Sequence, residues 1–195
     1  VREYYSAVRG HERSAALTRA TLFALADDIS PGQYGTGRHL ETAARPTNGQ
    51  GWGRLNLIRQ AESGVEFVDE SPGLRTGEAE RFRVCGVAGQ PITFVLSWSD
   101  YPGSLIRSKA LVNDVDLVVT GPDGPLAYPN RLGERDRVNT TKMVVDVVAS
   151  SDGWYSFEVS VASVPNGPQP FALVIVGGAQ FGPEIPSPTS TSTST

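Results

Sequence analysis

The sequence has little of three features that would each point to a class of protein. It contains a single cysteine, Cys85, in 195 residues, so no intramolecular disulfide can form and this residue is predicted to be a small buried hydrophobe. No apolar run reaches the length of about 20 residues that a membrane-spanning helix needs. The net charge is −4, with 17 basic and 21 acidic residues mixed along the chain, which does not suggest a nucleic-acid surface. We therefore expect neither nucleic acid nor a membrane as a partner.

The chain also begins without a methionine or a signal peptide, and residues 1–8 have the composition of the last turns of a helix. We therefore expect a fragment of a longer protein. Histidine is scarce: His11 and His39 are the only two. Because nothing in the sequence pairs either of them with an activated serine, both are predicted to be ordinary surface residues.

Glycine and proline are plentiful, with 21 and 14 copies, and a hydrophobic content of 39% is enough for a packed core. In residues 1–64 the clearest element is a helix with Ser14 as its N-cap, which runs to about Ala26. The rest of this part is irregular. Residues 1–64 are therefore too few and too irregular to fold alone, and we expect them to pack against a larger body.

From Val65 onward the apolar residues recur with a period of two, which is the period of β-strands. Six strands are predicted: residues 79–87, 92–99, 115–120, 142–149, 154–162 and 171–177. Short strands separated by turn sequences are typical of an antiparallel β-sandwich or jelly roll, and we predict that fold for about residues 65–178. Residues 179–195 are rich in proline, serine and threonine, which predicts a linker or tail.

Acidic and amide side chains lie where two of the predicted strands meet. One strand ends near Asp100, and the next begins at Asn113, Asp114 and Asp116. Because residues two apart share one face of a strand, the carboxylates of Asp114 and Asp116 repel each other unless a positive charge lies nearby. Oxygen ligands without cysteine or histidine suit Ca²⁺ before Mg²⁺. The alternative is a solvated strand edge whose charges prevent aggregation.

The three tryptophans raise a second alternative, a non-catalytic adhesion or carbohydrate- and cell-wall-binding module. Trp98 shares one strand face with apolar residues, so it is predicted to lie in the core. Trp154 lies on the strand face opposite Tyr155, where it is either exposed or caps the core. Trp52 is expected to pack against the sandwich at the interface between the two parts of the chain.

Several motifs follow one another along the chain: Q-G-W-G-R-L-N at residues 50–56, L-S-W-S-D at 96–100, L-V-N-D-V-D-L at 111–117 and V-P-N-G-P-Q-P-F-A-L at 164–173. In this order they resemble the end of a subtilisin-like serine protease domain and the β-sandwich that follows it in alkaline proteases of the KP-43 type. The resemblance covers roughly residues 1–178. It implies that residues 1–64 are the helical C-terminal end of an α/β peptidase domain and that residues 65–178 are its appended β-sandwich.

The family cleaves peptide bonds with an Asp–His–Ser triad, whose serine lies in a G-T-S motif. No G-T-S motif occurs in this sequence, so the resemblance implies that the triad lies upstream of Val1. The chain would then contain no catalytic residue and be inactive alone. The implied parent is a secreted serine endopeptidase acting on protein or peptide substrates, and the implied partner is the rest of its peptidase domain. A degenerate peptidase that serves as a scaffold is a further alternative.

The resemblance also implies that calcium binds to the β-sandwich. The ligands implied by matched position are Asp100, Asn113, Asp114, Asp116, Asn130, Asp136 and Asn139. The loop that holds the last three departs from the family pattern, because Thr140 replaces an asparagine and threonine or Lys142 stands at a glutamate position. Arg131, Arg135 and Arg137 add positive charge to the same loop. Pairing of arginine with aspartate is therefore an alternative to a second calcium ion there.

Overall fold

The structure is a computed structural model and describes residues 1–35, 39–58, 64–104, 110–121 and 124–183. Within these ranges the protein is mainly β, with antiparallel sheets consistent with a β-sandwich. Its α-helix, α1, is Ala15–Ala24. Its strands are β1 (Ala26–Asp27), β2 (Arg54–Leu55), β3 (Val65–Leu74), β4 (Ala79–Gly86), β5 (Pro91–Ser97), β6 (Asp114–Gly121), β7 (Gly124–Ala127), β8 (Thr141–Val148), β9 (Gly153–Ser163), β10 (Gln169–Val176) and β11 (Ala179–Pro183). No helix in the described ranges has the length and apolar character needed to cross a membrane.

Two antiparallel sheets enclose the main core. One has four strands in the order β3-β10-β5-β8, and the other has five in the order β11-β4-β9-β6-β7. Alternate side chains of facing strands meet between them, among them Phe94 and Leu96 of β5, Leu117 of β6 and Phe157 of β9. Because successive strand residues point to opposite faces, an apolar period of two produces this arrangement. The six predicted strands are confirmed as β4, β5, β6, β8, β9 and β10.

Helix α1 covers the outer face of the four-stranded sheet. The Oγ atom of Ser14 accepts a hydrogen bond from the Leu17 backbone N–H at 2.9 Å, so the predicted N-cap is confirmed. Leu17 and Ala20 of the helix are fully buried in a second core with Val95 of β5 and Val174 of β10. These two strands are therefore apolar on both faces, which explains their nearly continuous apolar sequences.

The segment between α1 and the sandwich is held mainly by polar contacts. Strand β1 pairs with β2, and the Asp28 carboxylate accepts hydrogen bonds from the Ser30 backbone N–H at 2.8 Å and from Gln50 Nε2 at 2.9 Å. Trp52 stacks on Phe23 of α1 with 5.0 Å between ring centroids. The segment is thus attached to the helix, and also to the loop before β8, where Arg131 Nε donates to the Arg45 backbone carbonyl at 2.7 Å.

Three of the sandwich strands, β3, β7 and β11, are not among those the sequence predicts. Each lies at an edge of its sheet, where proline and glycine are tolerated because one side of the strand needs no ladder partner. Strand β11 pairs with β4, so the five-stranded sheet extends to Pro183, beyond the end predicted at residue 178. The remainder of the predicted tail, residues 184–195, lies outside the described residues.

Candidate functional site

Asp114 and Asp116, two of the predicted calcium ligands, lie at the edge of the sandwich with a lysine between them. Their residues are 6% and 1% exposed, and Lys142 of β8 is 0% exposed. The Lys142 Nζ atom donates to Asp114 Oδ1 at 3.3 Å and to Asp116 Oδ1 at 2.9 Å. Arg135 Nη1 donates to Asp116 Oδ2 at 3.2 Å. Both carboxylates therefore have positive charge beside them, and we call these four residues the sandwich-edge cluster.

The cluster joins the two sheets of the sandwich, because Lys142 belongs to the four-stranded sheet and the aspartates belong to the five-stranded one. Lys142 lies opposite Leu96 in the ladder between β8 and β5, and its ammonium lies 5.3 Å from the centre of the Trp98 ring. A buried ammonium is tolerated only when it has partners of opposite charge. Here both aspartates supply that charge.

Asp100 and Asn113 organise the backbone between β5 and β6. The Asp100 carboxylate accepts three backbone N–H bonds: from Tyr101 at 2.9 Å, and from Val112 and Asn113 at 2.8 Å each. The Asn113 side chain is buried, and its Nδ2 donates to Gln169 Oε1 at 2.7 Å. Asp100 therefore ties the end of β5 to the start of β6, and Asn113 ties the start of β6 to Asn166 and to Gln169 of β10.

Asn130, Asp136 and Asn139 form a third set in the loop before β8. Asp136 Oδ2 accepts hydrogen bonds from the side-chain amides of Asn130 and Asn139, and its Oδ1 accepts the backbone N–H of Val138 at 2.8 Å and of Asn139 at 3.1 Å. Burial raises the pKa of the Asp136 carboxyl, but these hydrogen bonds outweigh burial and hold the pKa below its usual value. Asn130 Oδ1 accepts the Met143 N–H at 3.0 Å, which anchors the loop to β8.

The hydrogen bonds thus divide the seven predicted calcium ligands into three sets, in each of which the carboxylate oxygens already accept N–H groups or face cations. Ca²⁺ requires six to eight oxygen ligands. Among the described residues, no three histidine, cysteine, aspartate or glutamate side chains are grouped so that they could hold a metal ion. The geometry at Asp114 and Asp116 does not fit calcium, because the Lys142 ammonium occupies the space between their oxygens. Calcium binding by the other five residues stays a prediction.

The two histidines differ in their surroundings. His39 is exposed, as predicted, whereas His11 is half-buried with Nε2 2.9 Å from Asp69 Oδ2. This pair lines a cavity of about 490 Å³ that also borders Ser14. The Ser14 hydroxyl accepts the Leu17 N–H as the helix cap, and the Ser14 backbone N–H donates to Asp69 at 2.8 Å. The His11–Asp69 pair thus ties the start of α1 to β3.

The tryptophans give little support to a carbohydrate-binding surface. Trp98 is fully buried in the core, as predicted, and Trp52 packs on α1 rather than directly on the sandwich core. Trp154 is 42% exposed, but the Arg83 guanidinium lies 4.3 Å from the centre of its ring and covers one face. Cys85, its partner in the β4–β9 ladder, was predicted to be a small buried hydrophobe; it is only half-buried, because its side chain lies on the outer face of the sheet.

Comparison with family models and with curated proteins yields no match. No family model matches the sequence, and no curated protein is significantly similar to it. The sequence motifs and the geometry of the described residues are therefore the indications of what the chain does.

Proposed function

We propose that this chain is the C-terminal part of a secreted subtilisin-like serine endopeptidase. In this proposal residues 1–64 complete the peptidase domain, and the β-sandwich supports that domain without taking part in the chemistry. The triad belongs to the remainder of the peptidase domain, which is the partner of this chain. The order of the motifs along the sequence supports the proposal. The contacts that hold α1 against the sandwich support it as well.

The observation that carries the proposal is the apolar surface of the segment that precedes the sandwich. Six large apolar side chains in it are at least 40% exposed: Ile29, Tyr34, Leu40, Leu55, Leu57 and Ile58. Single exposed apolar residues are ordinary, but such a density along one short segment favours a surface that another body covers. The remainder of a peptidase domain would be that body.

The supporting role agrees with the contacts between α1 and the sandwich. Arg19 of the helix donates from Nη1 to the Trp98 backbone carbonyl at 3.0 Å, and Arg9, which precedes the helix, donates from Nη1 to the Val65 backbone carbonyl at 2.7 Å. Together with the second core, these contacts fix the helix on β3, β5 and β10. A domain that includes α1 would therefore be held rigidly against the sandwich.

The experiment begins with the codons that precede Val1 in the gene. We expect them to encode a G-T-S motif and, further upstream, the histidine and aspartate of a triad. The complete protein should then react with a fluorophosphonate probe and hydrolyse casein, whereas residues 1–195 alone should do neither. Replacing the G-T-S serine with alanine is the matched control and should abolish both signals.

Two results would overturn the proposal. The first is an upstream sequence that encodes no serine, histidine and aspartate in subtilisin-like order. The second is a complete protein with an intact triad that is folded, as circular dichroism would record, yet reacts with no probe. A triad with one member replaced would favour the scaffold alternative.

A further inference from the structure

We propose that Asn48 and Gly49 form a modification site at which the protein deamidates without an enzyme, and that the fold protects the Asn166–Gly167 pair from the same reaction. Both are Asn-Gly sequences, but they lie in different surroundings. The proposal concerns the segment between α1 and the sandwich. It does not depend on whether the parent protein is a protease.

The reaction needs an asparagine side chain, the backbone nitrogen of the next residue and water. The Gly49 nitrogen attacks the side-chain carbonyl carbon of Asn48, a C–N bond forms, and the side-chain nitrogen leaves as ammonia with the proton that Gly49 gives up. Water then opens the resulting succinimide ring at either carbonyl, which yields aspartate or isoaspartate. Glycine favours the attack because it has no Cβ to hinder the ring and its backbone rotates freely.

Asn48 and Gly49 lie at the tip of a short turn whose two ends are fixed. Thr47 and Gly51 exchange two backbone hydrogen bonds, of 3.1 and 2.7 Å, and both residues at the tip are exposed. Within the described ranges, no group accepts the Gly49 N–H or bonds to the Asn48 side chain. The structure therefore opposes neither the rotation that closes the ring nor the entry of water.

The backbone of Asn166 is held on both sides, in contrast to that of Asn48. Its N–H donates to Asn113 Oδ1 at 3.4 Å, and its carbonyl accepts the Asn113 side-chain N–H at 2.7 Å. The Asn113 side chain is itself buried. Val164 Cγ1 lies against Gly167 where a Cβ would project, and Pro168 restricts the backbone of Gly167. Asn166 must therefore leave its folded conformation before the ring can close.

Isoaspartate at position 48 would loosen the segment, because the main chain then runs through the former side chain and gains one carbon between Thr47 and Gly51. Gln50 lies in the same turn. Its Nε2 donates to Asp28 Oδ1 at 2.9 Å, and its Oε1 accepts the Ile29 N–H at 3.0 Å. Lengthening the turn would move Gln50 away from both partners. The modification should therefore reduce the stability of the protein.

Peptide mass spectrometry of the full chain, incubated in mildly alkaline buffer, provides the direct test. Each asparagine is compared in the folded protein and in the protein unfolded in urea. Asn48 should deamidate at a similar rate in both, whereas folding should slow Asn166 about 5- to 30-fold, the factor that corresponds to fixing the backbone of one residue. Isoaspartyl methyltransferase, which methylates isoaspartate, should label the incubated folded chain mainly at position 48.

Thermal unfolding of the incubated protein provides the second readout. The melting temperature should fall as isoaspartate accumulates. Asn48→Gln is the matched control, because the longer side chain forms the corresponding ring far more slowly. Asn48 is exposed and has no described side-chain partner, so this variant should fold normally and keep its melting temperature during incubation.

Equal deamidation of Asn48 and Asn166 in the folded protein would overturn the proposal, because the fold would then not distinguish the two pairs. Slowing of Asn48 by folding as strongly as Asn166 would overturn it as well. If the unmodified protein accumulates isoaspartate at position 48 and still melts like the Asn48→Gln variant, the predicted loosening of the segment is wrong.

Discussion

Replacing Asp100 with alanine should destabilise the sandwich by about 2–4 kcal/mol. The Asp100 carboxylate accepts three backbone N–H bonds of 2.8–2.9 Å, and hydrogen bonds to charged groups each contribute about 1.5–3 kcal/mol. Their sum is an upper limit, because Asp100 is half-buried and water can reach part of the freed backbone. The expected loss corresponds to a fall in melting temperature of about 5–15 °C for a chain of this size.

Urea unfolding followed by the fluorescence of buried Trp98 would measure the loss. Asp152→Ala is the matched control, since the Asp152 carboxylate accepts one backbone N–H, that of Ala88 at 2.7 Å, and both residues are exposed. Its cost should stay below about 1 kcal/mol.

The Asp100 measurement should be made in EDTA and again in calcium, because the two roles considered for this residue differ there. A carboxylate that holds the backbone gives the same loss in both solutions, whereas a calcium ligand gives a loss that appears mainly in calcium. A calcium-dependent loss, or one no larger than that of Asp152→Ala, would refute the assignment of Asp100 to the backbone.

Two further predictions concern the first part of the chain. Leu17→Ala should cost about 2–5 kcal/mol in urea unfolding, because Leu17 fills the core between α1 and the sheet; a loss no greater than that of half-buried Thr18→Ala would contradict this packing. Burial raises the pKa of the Asp28 carboxyl, but hydrogen bonds, including those from Ser30 and Gln50, lower it to about 2 from 3.8. The stabilisation is therefore complete above about pH 4 and is lost as the pH falls toward about 2. Asp28→Asn should remove this dependence, and parallel plots of unfolding free energy against pH for both proteins would disprove it.

The strands that could be predicted from the sequence are those in which apolar side chains alternate without interruption, as Ile92, Phe94 and Leu96 do in β5. The edge strands could not be predicted in this way. Strand β3 contains Pro72 and Gly73, and its place in the sheet is set by pairing with β10, nearly a hundred residues later in the chain. Such distant pairing leaves no local period to detect.

The candidate site was likewise predictable only in part. A spacing of two places Asp114 and Asp116 on one strand face and requires a positive charge nearby, but it does not say whether that charge is an ion or a side chain. Lys142 is 26 residues from Asp116 and belongs to the other sheet. One signal of this charge was present in the sequence. Lys142 lies two residues before Val144 and therefore shares the strand face that points into the core. Arg135 pairs with Asp116 of β6, whereas Asp136, the aspartate of the loop itself, accepts the side-chain amides of Asn130 and Asn139.

Because α1 lies across the four-stranded sheet, the strands have no water-facing side at Val95, Ala172 and Val174. A gene fusion that transferred only the strands to another protein would turn these side chains outward and give the product a surface that associates with itself. Viable gene rearrangements must therefore carry α1 together with the strands. Recombination would then keep α1 and the sandwich together as one unit.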